Sequence, residues 1–209
     1  MPQNIVVLDY GSGNIRSAQK SLEKVGANVT ISINFDECLN AQGLVVPGVG
    51  AFAACMQGLL KVRGGEIIDK RLAGNRSVLG ICVGMQVLFE GSQEHETKTA
   101  GLGQWPGEVT ELVAPVLPHM GWNNVTVEKG SKLFKDIESE KFYFLHSYAA
   151  KDLDLFGTEK ISAPLKHFSN HGSNFLASVE NGPLKATQFH PEKSGDAGLQ
   201  LLKNWLESI

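Results

Sequence analysis

Cysteine is scarce in this sequence, with three at positions 38, 55 and 82. An odd, sparse set without paired spacing excludes a disulfide framework and predicts a reduced, cytoplasmic protein. No Cys/His cluster has zinc spacing, so no metal is expected. Long apolar runs are missing too; none approaches the ~18 residues needed to cross a bilayer. The start, Met1-Pro2-Gln3-Asn4, lacks the basic region and apolar core of a signal peptide. Nor is there an excess of one charge: 19 basic residues face 22 acidic ones, for a net −3. That balance gives no reason to expect nucleic acid or an anionic membrane as partner. Internal repeats and low-complexity tracts are also lacking. What remains is an ordinary globular composition, 42% hydrophobic over 209 residues. That is enough for one domain, 1–209, with a sizeable core.

The stretch that carries chemistry is Ser77-Val78-Leu79-Gly80-Ile81-Cys82-Val83-Gly84-Met85-Gln86-Val87-Leu88-Phe89-Glu90. Its first half is apolar and β-leaning. Its second half places Val83, Val87 and Leu88 at helical spacing. Between them Gly80, Cys82 and Gly84 spell Gly-x-Cys-x-Gly, a strand, a sharp turn and a helix with a thiol at the turn. This is the pattern of a nucleophile elbow, where flanking glycines make room for strained backbone. A helix starting at the thiol favours thiolate. The Val83 N–H, first after the nucleophile, is placed to bind an oxyanion.

The chain opens strand, loop, helix, strand: Asn4 to Leu8, Asp9 to Asn14, Ile15 to Val25, Val29 to Ile33. That predicts an α/β fold. The Gly11-x-Gly13 loop is not a dinucleotide fingerprint, because Arg16 stands where the third glycine belongs; no cofactor is expected. It reads as a tight loop or as a surface that meets another subunit. Leu44 to Val46 is a third strand, followed by Pro47-Gly48-Val49-Gly50 and a helix from Ala53 to Leu60. Such a glycine-rich loop can aim a peptide N–H at a neighbouring site. Val49 and Gly50 are therefore candidates for a second oxyanion donor. A helix over Glu66 to Leu72 precedes the elbow, and a polar excursion over Gly91 to Gly107 follows its helix. Strands are predicted over Glu108 to Leu112, Asn124 to Glu128, Lys141 to His146, Asn174 to Val179 and Lys185 to Phe189. Their alternation and turn pairs suggest antiparallel or mixed pairing. An amphipathic helix over Asp196 to Leu206 closes the chain.

His190-Pro191-Glu192 sits after the last predicted strand. In extended backbone residues i and i+2 share a side, and the proline stiffens the segment. An imidazole with a carboxylate beside it is what a general base requires. The remaining candidates read as structural. Cys38 and Cys55 are expected to be buried, and His119 to be a satisfied structural histidine. His95, His167 and His171 are expected in solvent.

Gly80-Ile81-Cys82-Val83-Gly84-Met85-Gln86 together with His190-Pro191-Glu192 resembles the class I (triad) glutamine amidotransferases. Asp9-Tyr10-Gly11-Ser12-Gly13-Asn14, Pro47-Gly48-Val49-Gly50-Ala51-Phe52, Pro118-His119-Met120-Gly121-Trp122-Asn123 and Phe144-Leu145-His146-Ser147-Tyr148 narrow the likeness. They resemble the glutaminase subunits of imidazole glycerol phosphate synthases. The resemblance spans nearly the whole chain; only Leu153 to Asn170 matches nothing and reads as a surface insertion. It implies a largely parallel central sheet flanked by helices, with antiparallel or mixed strands in the C-terminal half. It implies hydrolysis of L-glutamine by Cys82, His190 and Glu192, with Val83 and the Val49–Gly50 loop as oxyanion donors. Gln86, Ser147 and Tyr148 would contact the substrate. The ammonia would pass to a (β/α)8 cyclase subunit in a heterodimer, with Asn14, Trp122 and Lys193 at the interface. Trp122 could equally be a core residue. Competing readings are an amidotransferase for another acceptor, a free-standing Cys-elbow hydrolase or peptidase, and a catalytically silent partner module. A glutaminase that runs alone wastes glutamine, so a gate is expected. The Val49 N–H is predicted to point away from Cys82 at rest.

Overall fold

The computed structural model describes residues 1–157 and 162–209. Seven strands form the central sheet, in the order β11-β12-β13-β4-β3-β1-β2. The parallel part comprises β1 (Asn4–Leu8), β2 (Asn28–Ser32), β3 (Gly43–Gly48), β4 (Ser77–Cys82) and β13 (Leu184–Thr187). β1 buries four residues in succession, Ile5 to Leu8, and β3 and β4 are buried throughout. Continuous apolar strands of this kind need cover on both faces. Helices α1 (Ile15–Lys24), α2 (Phe35–Asn40), α3 (Phe52–Lys61), α4 (Gly64–Ala73) and α6 (Gly195–Glu207) supply it. α6 buries Leu201, Leu202, Trp205 and Leu206, and the Trp205 indole N–H donates to the Ser77 hydroxyl at 3.1 Å. That bond ties the last helix to the start of β4.

The C-terminal half extends this sheet in antiparallel fashion through β12 (Ser173–Asn181) and β11 (Leu165–His171). A four-stranded sheet, ordered β10-β7-β5-β6, is built from β5 (Phe89–Ser92), β6 (Thr99–Ala100), β7 (Trp105–Glu111) and β10 (Tyr148–Ala150). A two-stranded antiparallel ribbon joins β8 (His119–Asn124) to β9 (Lys141–His146). The expected parallel sheet with added antiparallel strands is therefore present.

Several expectations need correction. The strand expected over Asn124 to Glu128 lies earlier, at β8; beyond it only Thr126 makes an isolated bridge, to Phe168. Half of the strand faces solvent and contains Gly121, so its sequence lacks a clean apolar alternation. The polar excursion over Gly91 to Gly107 holds the end of β5, all of β6 and the start of β7, short strands that its polar composition did not mark. The expected surface insertion over Leu153 to Asn170 holds only in part: 154–157 run irregularly at the surface, but its flanks belong to the fold. Leu165–His171 is the sheet-edge strand β11, and Leu153 is fully buried. Residues 158–161 of that stretch lie outside the described residues. His167, expected in solvent, is also fully buried: its Nε2 lies 3.2 Å from the Glu180 carboxylate, and the Glu128 N–H donates to its Nδ1 at 3.0 Å.

Candidate active site

The C-terminal ends of β3, β4 and β13 lie level, with Gly48 opposite Cys82 and Thr187 opposite Ile81. In open α/β sheets the ligand crevice forms outside these strand ends. Cys82 ends β4 at φ 56°, ψ −114°, a conformation that costs a non-glycine residue strain and aims its side chain out of the sheet. The neighbouring glycines are required by space. A Cβ on Gly84 would lie 1.8 Å from the Val46 carbonyl oxygen, one on Gly80 2.6 Å from that of Gly84, and one on Gly48 2.5 Å from the Gly84 nitrogen. The helix after the thiol is shorter than its sequence suggested. α5 covers only Val83–Gln86, because Phe89 already enters β5. A single turn carries little dipole, so its contribution reduces to the first N–H groups, which lack intrahelical partners.

His190 and Glu192 meet as anticipated, with His190 Nδ1 and Glu192 Oε1 2.8 Å apart. The cause differs from the extended pairing expected. Pro191–Lys193 is a 3-10 turn, and that turn folds the carboxylate back onto the ring. The turn is held firmly: the His190 N–H donates to the Tyr143 carbonyl at 2.9 Å, and the Ser194 hydroxyl donates to the His190 carbonyl at 2.7 Å. Both side chains are almost wholly buried. Burial disfavours a charged ring, but hydrogen bonds to Cys82 and Glu192, and attraction to their charges, push the His190 pKa up to about 10. Cys82 and Glu192 thus both favour the protonated ring.

A cleft of about 280 Å³ opens over the thiol. This is just below the ~300–1,000 Å³ usual for small-molecule pockets, which suits a ligand of few heavy atoms. Val49, Gly50, Cys82, Val83, Gln86, Ser147, Tyr148 and His190, all singled out from the sequence, line it. Gln86 Nε2 donates to the Tyr148 carbonyl at 2.8 Å. Sequence reasoning missed Glu94, His95, Pro118 and His146, which also line the cleft. Glu94 sits in the polar excursion with no local motif to mark it; its carboxylate accepts the Phe52 N–H at the start of α3 at 2.5 Å.

The structural histidine His119 is buried as expected, within a directed chain. The Tyr148 carbonyl can only accept, so His146 Nδ1, 2.9 Å away, carries a proton. In the neutral ring Nε2 then accepts from His119 Nδ1 at 3.1 Å, and His119 Nε2 accepts from Asn123 Nδ2 at 3.2 Å. Half-buried His171, expected in solvent, stacks on His119 with ring centroids 4.3 Å apart. Cys38 and Cys55 are fully buried. Trp122 is not a core residue; it is 55% exposed on β8, beside Gly195. Lys193 lies on the adjoining turn, against which α1, begun by Asn14, also packs.

The family model for class-I glutamine amidotransferases matches residues 6–209. The chain belongs to that family and is a glutamine amidotransferase. Within it, the chain is 56% identical to the imidazole glycerol phosphate synthase subunit HisH of Nocardia farcinica, covering 99% of each. It is equally similar, 56% over the full length of both, to the subunit of the same name from Thermobifida fusca. These matches put it among the HisH subunits. The fold is shared more widely: PurLQS from Thermotoga maritima superposes with a TM-score of 0.72 over 99% of both chains at 20% identity.

Proposed function

We propose that residues 1–209 act as one amidotransferase domain that hydrolyses L-glutamine to glutamate and delivers the ammonia to a cyclase subunit. That partner is a (β/α)8 barrel, and the two form a cytoplasmic heterodimer. The ammonia joins a phosphoribulosyl intermediate there, giving imidazole glycerol phosphate for histidine synthesis and an aminoimidazole carboxamide ribotide. Among the described residues, no helix is long and apolar enough to cross a membrane. The observation that carries the glutaminase reading is the strained Cys82 in one small cleft with the paired His190 and Glu192.

An unactivated carboxamide needs a strong nucleophile, and the Cys82 thiolate supplies one. Its sulfur attacks the side-chain carbonyl carbon of glutamine. The oxyanion that forms is met by the Val83 N–H and by an N–H from the Val49–Gly50 loop. The His190 imidazolium gives its proton to the leaving nitrogen, and ammonia departs. A thioester remains. His190, now neutral, takes a proton from water as the water attacks, the C–S bond breaks, and glutamate leaves. Glu192 orients the ring and stabilises its cation throughout. Gln86, with backbone near Ser147 and Tyr148, holds the substrate. Exposed Trp122, with Lys193 and Asn14 nearby, supports a partner surface on this face.

Glutamine hydrolysis measured with and without the cyclase subunit and its nucleotide substrate tests the reading. Hydrolysis should rise in the complete assembly. Cys82→Ala should abolish it, yet spare product formation from ammonium. Glutamine turnover near wild type in that variant would overturn the assignment.

A further inference from the structure

Gln188 follows β13, two positions before His190, and its side chain is 1% exposed. Gln86 Nε2 donates to Gln188 Oε1 at 3.0 Å, and Gln188 Nε2 lies 3.8 Å from Cys82 Sγ. One main-chain atom fixes the direction of this chain. The Tyr148 carbonyl can only accept, so the Gln86 amide must turn its nitrogen toward it. The same nitrogen reaches Gln188, which must answer with its oxygen. The Gln188 nitrogen is then left facing the sulfur. Both Gln86 N–H groups are spent in the process, which leaves the Gln86 Oε1 as that amide's atom for the cleft.

We propose that Gln188 is a positioning residue of this site: it donates a hydrogen bond to the Cys82 thiolate and locks the Gln86 amide with its oxygen toward the substrate. The proposal rests on Cys82 being the nucleophile. A donor favours the thiolate over the thiol, because the anion is the far better acceptor. It does so without adding charge to a cleft that already holds the His190 cation. Its effect falls on two steps. Before attack, it holds the sulfur as an anion in place. When water cleaves the thioester, the sulfur leaves as thiolate and regains this hydrogen bond as the C–S bond breaks.

The test is the rate of Cys82 alkylation by iodoacetamide against pH, read at the Cys82 peptide, in wild type, Gln188→Leu and Gln188→Glu. Gln188→Leu removes both hydrogen bonds. Its profile should move up by roughly one pH unit, a tenfold loss of thiolate at fixed pH, and its glutaminase kcat should fall. Gln188→Glu keeps an acceptor toward Gln86 but turns an anion toward the sulfur. Its profile should move up at least as far, and it keeps the proposal testable if the leucine variant fails to fold. A folded variant with the wild-type alkylation profile and kcat overturns the proposal. Glutamine hydrolysis by Cys82→Ala, measured beside these profiles, separates the two readings. If that variant still hydrolyses glutamine, the nucleophile is wrong; if it does not and the Gln188 profiles are unmoved, only the role of Gln188 is wrong.

Discussion

The Val49 N–H donates to the Ser12 hydroxyl at 3.2 Å, and the same hydroxyl lies 2.7 Å from the Val49 carbonyl oxygen. One side chain thus clasps both ends of the residue expected to supply an oxyanion donor. The Cys55 thiol, 3.1 Å from the Ser12 oxygen, adds a third contact. A donor already spent on serine cannot meet an oxyanion until that bond breaks, which agrees with an N–H held away from Cys82 at rest. Ser12→Ala should therefore raise glutamine hydrolysis by the isolated chain. A typical hydrogen bond contributes about 0.5–1.5 kcal/mol net, so the rise should be about 2- to 10-fold. Activation by the cyclase subunit should shrink by the same factor. Unchanged turnover in the isolated variant would show that the clasp is not part of the gate.

The His190–Glu192 pair makes a second prediction. His190→Ala should lower kcat by at least the ~10²–10⁴ usual for a general acid–base. Glu192→Gln should lower it less, because an amide oxygen can still accept from Nδ1 but no longer stabilises the cation. The double variant Cys82→Ala/His190→Ala should be little worse than either single, since such groups act as a unit. Losses that multiply would place His190 outside the reaction.

The elbow was legible in the sequence because sterics leave it few alternatives. Gly80 and Gly84 are forced by approaches below 3 Å, and Cys82 between them has one place to point. The parallel strands were legible for a related reason, since burial on both faces demands unbroken apolar runs such as Ile5 to Leu8. β8 and β11 were not. Each mixes buried and exposed positions, and β11 carries Lys166, His167, Asn170 and His171, which read as surface. His167 is tolerated in the core only because Glu180 and the Glu128 N–H satisfy it, partners distant in sequence. Gln188 and Glu94 were missed because each acquires meaning only from a neighbour brought in by the fold.

Arg71 gives a prediction about stability alone. It is fully buried without an acidic partner among the described residues, and donates to five carbonyls: those of Cys38, Leu39, Ala41, Gln42 and Ser77. The end of α2, its exit to β3 and the start of β4 are thus held by one guanidinium. Lysine offers three donors from a single point and cannot span this set. Arg71→Lys should cost about 3–6 kcal/mol, from two lost hydrogen bonds to a charged group. Denaturant unfolding would report this, while kcat per folded molecule should stay near wild type. Unaltered stability would mean that water replaces the lost donors.

The histidine chain behind the cleft makes the fold sensitive to acid. Burial, then the nearby His171 charge, lower His119 to about 4. Burial likewise lowers His146 to about 3, against the opposing pull of the Tyr148 carbonyl and with the His119, His171 and His190 charges adding to it. In the unfolded chain both titrate near 6.5. Between about pH 6.5 and 4 the unfolded state thus binds more protons than the native one, so stability falls as pH falls through that window. Carboxylates add their own losses on acidification, so the useful measurement is a difference. His119→Asn removes one of the two titrating rings and keeps a side chain able to hydrogen-bond. Its midpoint of thermal unfolding should lie below that of wild type at pH 7, and the gap should narrow at pH 5. A gap that stays constant across this range would show that His119 is not held neutral by the fold.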